Sequence, residues 1–374
     1  MRLDNNKKGT TYTKLERDLR RNVISQHEPI QRILDTYQTW EAGLSSAEHP
    51  VGIFLFVGPT GSGKTKLVEE LANSLHGSTQ NILKIDCGEY QMEHEVAKLV
   101  GAPPGYLGHR ETHPILSQSK ISSVASANCN LSIILFDEIE KAAPSMARLL
   151  LGVFDKGKLR LGDNNMVNFT NSIIFLTSNL GSSGMMRAGR ELGLGNTIKD
   201  PANLETLKKI THKAITSNFS PEFYNRIDSV ETFDFLSHDD LCKILELELN
   251  KIKERMFKCK IPFFIEFHSD SKNYLIKNGT SREYGARYLK RLLNRKVVQK
   301  LSNFVSSKQI EEGDTVFTSY DPVDDELVFI KDNSVQIVRS STELSLAAGE
   351  KLPDNNEQLV VATKRKRKTP EKES

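Results

Sequence analysis

The segment Gly58-Pro59-Thr60-Gly61-Ser62-Gly63-Lys64-Thr65 fits the pattern G-x-x-x-x-G-K-[ST]. An apolar run, Gly52 to Val57, stands directly before it, and a helical segment starts at Lys66. Strand, glycine-rich loop and helix in that order constrain the fold more than any other feature of the chain. The glycines let backbone N–H groups turn inward around phosphate oxygens. Lys64 offers a point charge to the β and γ phosphates of a nucleotide, and Thr65 offers a hydroxyl to Mg²⁺. The helix that follows adds the positive end of its dipole.

The rest of the chain supplies the sheet that such a loop requires. Ile82 to Ile85, Ser132 to Phe136 and Ser172 to Leu176 are short, β-branched apolar runs separated by helical segments. They read as buried parallel strands of an α/β sheet, with Ser229 to Phe235 as a fifth. Pro29 to Trp40 places Ile30, Ile33, Leu34 and Tyr37 on one helical face. After Leu236 the character changes. Ser237-His238-Asp239-Asp240 caps a charged amphipathic helix over Leu241 to Met256. Ser281 to Ser302 is helical, with Tyr288, Leu289, Leu292, Leu293 and Val297 on its apolar side, and Asp314 to Ile330 reads as a terminal β-hairpin. The expected organisation is a flexible N-terminus over 1–14, a large α/β domain over 15–236, a small α+β domain over 237–331 and a disordered basic tail over 332–374. The tail has no aromatic residue and carries Lys364-Arg365-Lys366-Arg367-Lys368, read as a solvated charge run, with a nucleic-acid or nuclear-targeting role as the alternative.

Several function classes fall away on composition. No stretch approaches the roughly 18 apolar residues of a membrane span, and Met1 to Thr13 lacks the apolar core of a secretory signal. Four scattered cysteines without a CxxC pair give neither a disulfide scaffold nor a zinc site, so a reducing, cytoplasmic setting is expected. A net charge of +3 does not point to nucleic acid. His109 and His113 have helical metal-ligand spacing but no third ligand, and are read as solvated.

Asp137 and Glu138 follow the apolar run Ser132 to Phe136. In phosphate-loop enzymes an Asp at this strand end holds Mg²⁺, and a neighbouring carboxylate can orient and deprotonate the attacking water. Ile134-Leu135-Phe136-Asp137-Glu138-Ile139-Glu140-Lys141-Ala142 resembles the second acidic motif of AAA+ ATPases of the Clp unfoldase class, in particular the C-terminal ATPase module of ClpA and ClpB. The resemblance continues, in order, in Ile85-Asp86-Cys87-Gly88-Glu89-Tyr90 and in Leu99 to Gly108. It resumes in Thr177-Ser178-Asn179-Leu180-Gly181, Pro221-Glu222-Phe223-Tyr224-Asn225-Arg226-Ile227-Asp228 and Tyr284-Gly285-Ala286-Arg287. It covers residues 15 to 330.

The resemblance implies an AAA+ large domain with a five-stranded parallel sheet, a small C-terminal domain, and hydrolysis of ATP with Mg²⁺ held at Thr65 and Asp137. It implies that Glu138 activates water, that Asn179 is the sensor-1 residue and that Arg287 is the sensor-2 residue. Arg226 is implied as the arginine finger reaching a neighbouring subunit's γ-phosphate, which requires a ring of identical subunits, six in this family. Taken singly, Asn179 would also suit a turn and Arg226 a surface ion pair. Val23 and Ile24 resemble the adenine-pocket pair, although Ser25 stands where the family has Gly.

Gly105-Tyr106-Leu107-Gly108 is similar to the pore loop of substrate-threading rings. A second loop, Asp155 to Asn165, departs from the family by having Asn164-Asn165 in place of Gly-Arg, and the segment after Gly108 departs as well. Leu192-Gly193-Leu194 stands where protease-coupled members dock onto a ClpP-like peptidase. The implied activity is therefore unfolding or remodelling of unfolded or tagged proteins, coupled to a peptidase or adaptor in one version and protease-independent in the other. A nucleotide-dependent scaffold and a nucleic-acid motor are the readings from other classes. At 374 residues there is room for one ATPase module, so a stand-alone single ring is expected.

Overall fold

The apolar runs at 52–57, 132–136 and 172–176 become strands buried along their length, whereas those at 83–86 and 229–232 are only partly buried. The computed structural model describes residues 8–101, 114–191, 201–281 and 285–332. In chain order its first strands are β1 (Gly52–Val57), β2 (Leu83–Asp86), β3 (Ser132–Asp137), the short β4 (Lys158–Arg160) and β5 (Met166–Asn168), β6 (Ser172–Ser178) and β7 (Ser229–Thr232). Five of them form one parallel sheet in the order β2-β3-β6-β1-β7, and β4 and β5 pair as an antiparallel hairpin. The expected fifth strand is present at the sheet edge.

The pleat sends alternate residues to two cores. Ile53, Leu55, Val57, Ile134, Phe136, Ile174 and Leu176 pack on one face. Phe54, Phe56, Ile133, Leu135, Ile173 and Phe175 pack on the other, against the helices Thr10–Asn22, His27–Glu41 and Lys64–His76. Ile30, Ile33, Leu34 and Tyr37 all point into that second core, as the helical spacing predicts. Phe175 is fully buried, with ring centroids of Phe54 and Phe56 at 5.4 and 5.3 Å. Truncating it to Ala would cost about 3–5 kcal/mol.

Two expectations need correction. The first helix begins at Thr10 and buries Tyr12, so the segment 1–14 is structured from there on. The Tyr12 hydroxyl accepts from Lys8 Nζ and Gln31 Nε2, each at 3.0 Å, which anchors the helix start. Tyr288 is 39% exposed rather than on the apolar side, while Leu289 is buried. The apolar stripe runs through Leu289, Leu292, Leu293 and Val297, and a π-helical turn over Asn294–Val298 keeps Val297 in it.

The chain forms two compact units, one of residues up to Leu247 with Asn278–Arg291, the other of Glu248–Lys277 with residues from Leu292 onward. The second unit holds a three-stranded sheet ordered β10-β9-β8, with β8 (Phe264–Phe267), β9 (Thr315–Asp321) and β10 (Glu326–Asp332). β9 and β10 make the expected hairpin, and β8 joins it in parallel. Among the described residues, no helix is long and apolar enough to cross a membrane.

In the large sheet β3, β6 and β1 are neighbours and run the same way. The segments that leave their C-terminal ends therefore converge on one edge, the usual place for a ligand in an open parallel sheet. Those segments are the phosphate loop, Asp137-Glu138 and Asn179.

Candidate nucleotide site

The loop after β1 is shaped by positions that a side chain would spoil. Gly58 has φ +152°, and a Cβ there would lie 2.5 Å from the Phe233 carbonyl oxygen. Gly63 has φ +107° and caps the helix Lys64–His76. The loop curls around Lys64, whose side chain is buried. Its ammonium donates to the carbonyl oxygens of Gly58 at 2.7 Å and Pro59 at 3.0 Å, and to Asn179 Oδ1 at 3.0 Å. All three of its protons are thus directed. Burial pushes Lys64 down to about 8, against the opposing charges of Glu140, Asp137 and Glu138, with Arg287 adding to the fall.

The acids stand beside this cation. Asp137 Oδ1 accepts from Thr65 Oγ1 at 3.3 Å and from Thr177 Oγ1, and Asp137 Oδ2 pairs with Lys84 Nζ at 3.0 Å. Burial alone would raise the Asp137 carboxyl, but Thr177, Lys84 and Thr65 together hold it below the usual carboxylate range. Glu138 sits in a left-handed backbone conformation at φ +58°, and its N–H donates to Thr177 Oγ1 at 3.0 Å. Its Oε1 accepts from Asn179 Nδ2 at 3.1 Å, and its Oε2 pairs with Lys141. One amide, that of Asn179, therefore joins the phosphate-loop lysine to the carboxylate expected to activate water.

The expected adenine pair stands three and two residues before Gln26. Val23 is buried and Ile24 half-buried. Gln26 is buried and donates from Nε2 to the Ser62 carbonyl oxygen at 3.2 Å, tying this segment to the phosphate loop. Ser25 has φ +68°. The position therefore asks for the left-handed conformation that glycine adopts without strain, which accounts for the residue type expected there.

Arg287 lies near the N-terminus of the helix Gly285–Leu293 and is exposed, close enough for its charge to act on Lys64. Arg226 is apart from this group. It follows the short helix Pro221–Tyr224, and its Nε pairs with Asp155 Oδ1 at 2.7 Å. Gly105, Tyr106, Leu107 and Gly108 lie outside the described residues, as do Leu192, Gly193 and Leu194, the histidines 109 and 113, and Tyr284.

Six participants carried no assigned role in the sequence. Thr177, Glu140 and Lys141 stand inside motifs that carry the resemblance, and Gln26 follows the expected adenine pair. Lys84 is an ordinary strand residue by pattern. Ser182, whose hydroxyl donates to the Asn179 carbonyl oxygen and lies 3.2 Å from that of Gly58, has no sequence signal.

Residues 49–230 match the family model for the AAA domain (Cdc48 subfamily), and residues 236–318 match that for the C-terminal, D2-small domain of ClpB protein. The chaperone protein ClpB of Meiothermus ruber is 34% identical over 310 residues, which is 83% of this chain and 34% of the relative. This chain belongs to the AAA ATPases, in the ClpB branch. It is therefore an ATPase, and the cluster around Lys64 lies within the residues matched to its AAA domain. The probable chaperone protein ClpB 1 of Chlorobaculum tepidum is 35% identical to this ATPase, over 81% of this chain and 66% of the relative. Two solved structures share its fold. Hsp104 in a closed state with ATPγS and FITC casein has a TM-score of 0.73 at 29% identity, covering 86% of this chain and 52% of the other. The S. cerevisiae Hsp104:casein complex in an extended conformation has a TM-score of 0.74 at 28% identity, covering 86% and 53%. The ATPase spans about a third of the Meiothermus ClpB and about half of the Hsp104 chains.

Proposed function

We propose that this ATPase works in the cytoplasm as a ring of identical subunits, six by family resemblance, that unfolds or remodels protein by drawing polypeptide through a central pore. The observation that carries the reading is the Lys64–Asn179–Glu138 connection in a chain that also matches a ClpB D2-small domain. A scaffold that only binds nucleotide has no use for a carboxylate held next to the phosphate-loop lysine.

In this reading Lys64 and the loop N–H groups hold the phosphates, Glu138 takes a proton from water and Asn179 orients it. Thr65 and Asp137 face each other with oxygen donors of the kind Mg²⁺ takes. Among the described residues no group of three or more His, Cys, Asp or Glu side chains could hold a metal unaided, so the ion would depend on phosphate and water oxygens. Arg226 completes a neighbour's site, Arg287 couples nucleotide to domain angle, and Tyr106 grips the polypeptide. Residues 15–236 would be the large ATPase domain and 237–331 the small one.

Similarity to the chaperones ClpB and Hsp104 favours the protease-independent version. Coupling to a ClpP-like peptidase rests on Leu192-Gly193-Leu194 alone. The test is ATP-dependent unfolding of a tagged fluorescent protein, with casein as a second substrate. Tyr106→Ala should keep ATP turnover and lose unfolding, and Glu138→Gln should keep ATP and lose both. Equal unfolding by wild type and Tyr106→Ala would remove threading from the account.

A further inference from the structure

Asn179 is held on every side. Its side-chain amide joins Lys64 to Glu138, and its carbonyl oxygen accepts from the Ser182 hydroxyl. Its backbone N–H donates to Glu140 Oε1 at 2.9 Å. Glu140 comes from the short turn Ile139–Lys141 that follows β3, while Asn179 follows β6, so this bond ties together the ends of two neighbouring strands.

The other oxygen of the same carboxylate, Glu140 Oε2, is buried and has no hydrogen-bond partner among the described residues. A buried acceptor left so opposes folding, and an apolar side chain of similar size would not carry that burden. A residue that stabilises the fold would not be chosen on these terms. Groups that work against stability in this way collect where a site needs them.

We propose that Glu140 is a positioning residue for ATP hydrolysis: by holding the Asn179 backbone it fixes the amide that links Lys64 to Glu138. Its charge also bears on Lys64, so its effect through Asn179 is the part that a neutral oxygen acceptor at the same place would keep. The inference rests on the reading of Asn179 as the residue that orients the attacking water.

Three variants of the full chain test it: Glu140→Met, Glu140→Gln and Asn179→Ala, with ATP turnover, ATP affinity and thermal stability measured on each. Met fills the space without an acceptor. Glu140→Met should melt at or above the wild-type temperature, bind ATP within about threefold of wild type, and turn it over at least tenfold more slowly. Glu140→Gln keeps an oxygen for the Asn179 N–H and should recover most of the rate. In the Asn179→Ala background, Glu140→Met should cost no further rate, because both act through one amide. The inference is overturned by turnover in Glu140→Met within twofold of wild type, by a rate loss that follows a fall in melting temperature or ATP affinity, or by losses that add in the double variant. Full turnover in Asn179→Ala would overturn the reading of Asn179 itself, and Glu140 with it. A slow Asn179→Ala beside a fast Glu140→Met would overturn the role of Glu140 alone.

Discussion

A Cβ on Gly285 would lie 2.9 Å from the carbonyl oxygen of Gly61, in the middle of the phosphate loop. The next residue, Ala286, donates its N–H to the same oxygen at 3.4 Å. The helix that carries Arg287 is thus seated directly on loop backbone, with no side chain between them. Its first residue has φ +49°, so both space and conformation ask for glycine.

Gly285→Ala should therefore weaken nucleotide binding. A left-handed alanine and the enforced separation from Gly61 together cost about 1–3 kcal/mol, or about 5- to 150-fold in affinity if the whole effect falls on the bound state. Gly285→Asn separates the two causes, since Asn tolerates the left-handed conformation but still brings a Cβ. It should regain the share owed to strain and still bind more weakly than wild type. Wild-type affinity in the Asn variant would mean that the close approach to Gly61 is not what matters.

Lys64 gives a pH dependence with opposite signs for stability and binding. Burial holds it at about 8 in the folded protein. The unfolded chain keeps that proton to about pH 10.4, so between the two values the unfolded state binds more protons and the free protein gains stability as pH rises. Nucleotide phosphates need the ammonium, so ATP affinity should fall over the same rise. Tyr37, pushed up to about 12 by burial with nearby Glu41 adding, contributes a loss of stability above about pH 10. The comparison is therefore with Lys64→Met, in which Tyr37 is unchanged. Denaturant melts of the free proteins from pH 7 to 9.5 should converge between wild type and Met if Met is the more stable at pH 7. Parallel curves would show that Lys64 is not depressed.

The sheet was legible because each buried strand is a short unbroken apolar run, and the phosphate loop because its spacing is dictated by backbone geometry. β8 escaped notice because Phe264–Phe267 is only four residues long and is fixed by pairing with β9, a contact remote in sequence. Tyr288 lies at the margin of the stripe that Leu289, Leu292 and Leu293 define, where spacing alone does not separate a buried position from an exposed one. The acids and Asn179 could be named from their motifs, but the bond from Glu140 to the Asn179 N–H could not. It exists only because β3 and β6 are neighbours in the sheet, and strand order is not written in local sequence.

Ser25 carries a strain that one substitution should relieve. It holds φ +68° immediately before Gln26, whose side chain anchors the segment to Ser62. Ser25→Gly should stabilise the free protein by about 0.5–1 kcal/mol, less the greater freedom of glycine in the unfolded chain. In a domain of this size that is a rise in melting temperature of about 1–4 °C. ATP affinity should be unchanged or slightly improved. A lower melting temperature would mean that the Ser25 side chain makes a contribution that outweighs its backbone strain.

Arg226 provides the strongest test of assembly. Its guanidinium is half exposed and held by Asp155, apart from the cluster around Lys64. A finger that serves a neighbour should leave its own subunit's nucleotide affinity intact. Arg226→Ala should thus bind ATP normally and lose turnover by about 10³-fold or more. Glu138→Gln should lose turnover as well, for a different reason in a different subunit. When the two inactive variants are mixed, some interfaces place an intact Glu138 from an Arg226→Ala subunit beside an intact Arg226 from a Glu138→Gln subunit. Those interfaces are complete, and ATPase activity should reappear, with a maximum near equal proportions. If mixing under conditions that exchange subunits restores nothing, Arg226 does not act across an interface, and the ring loses its main chemical argument.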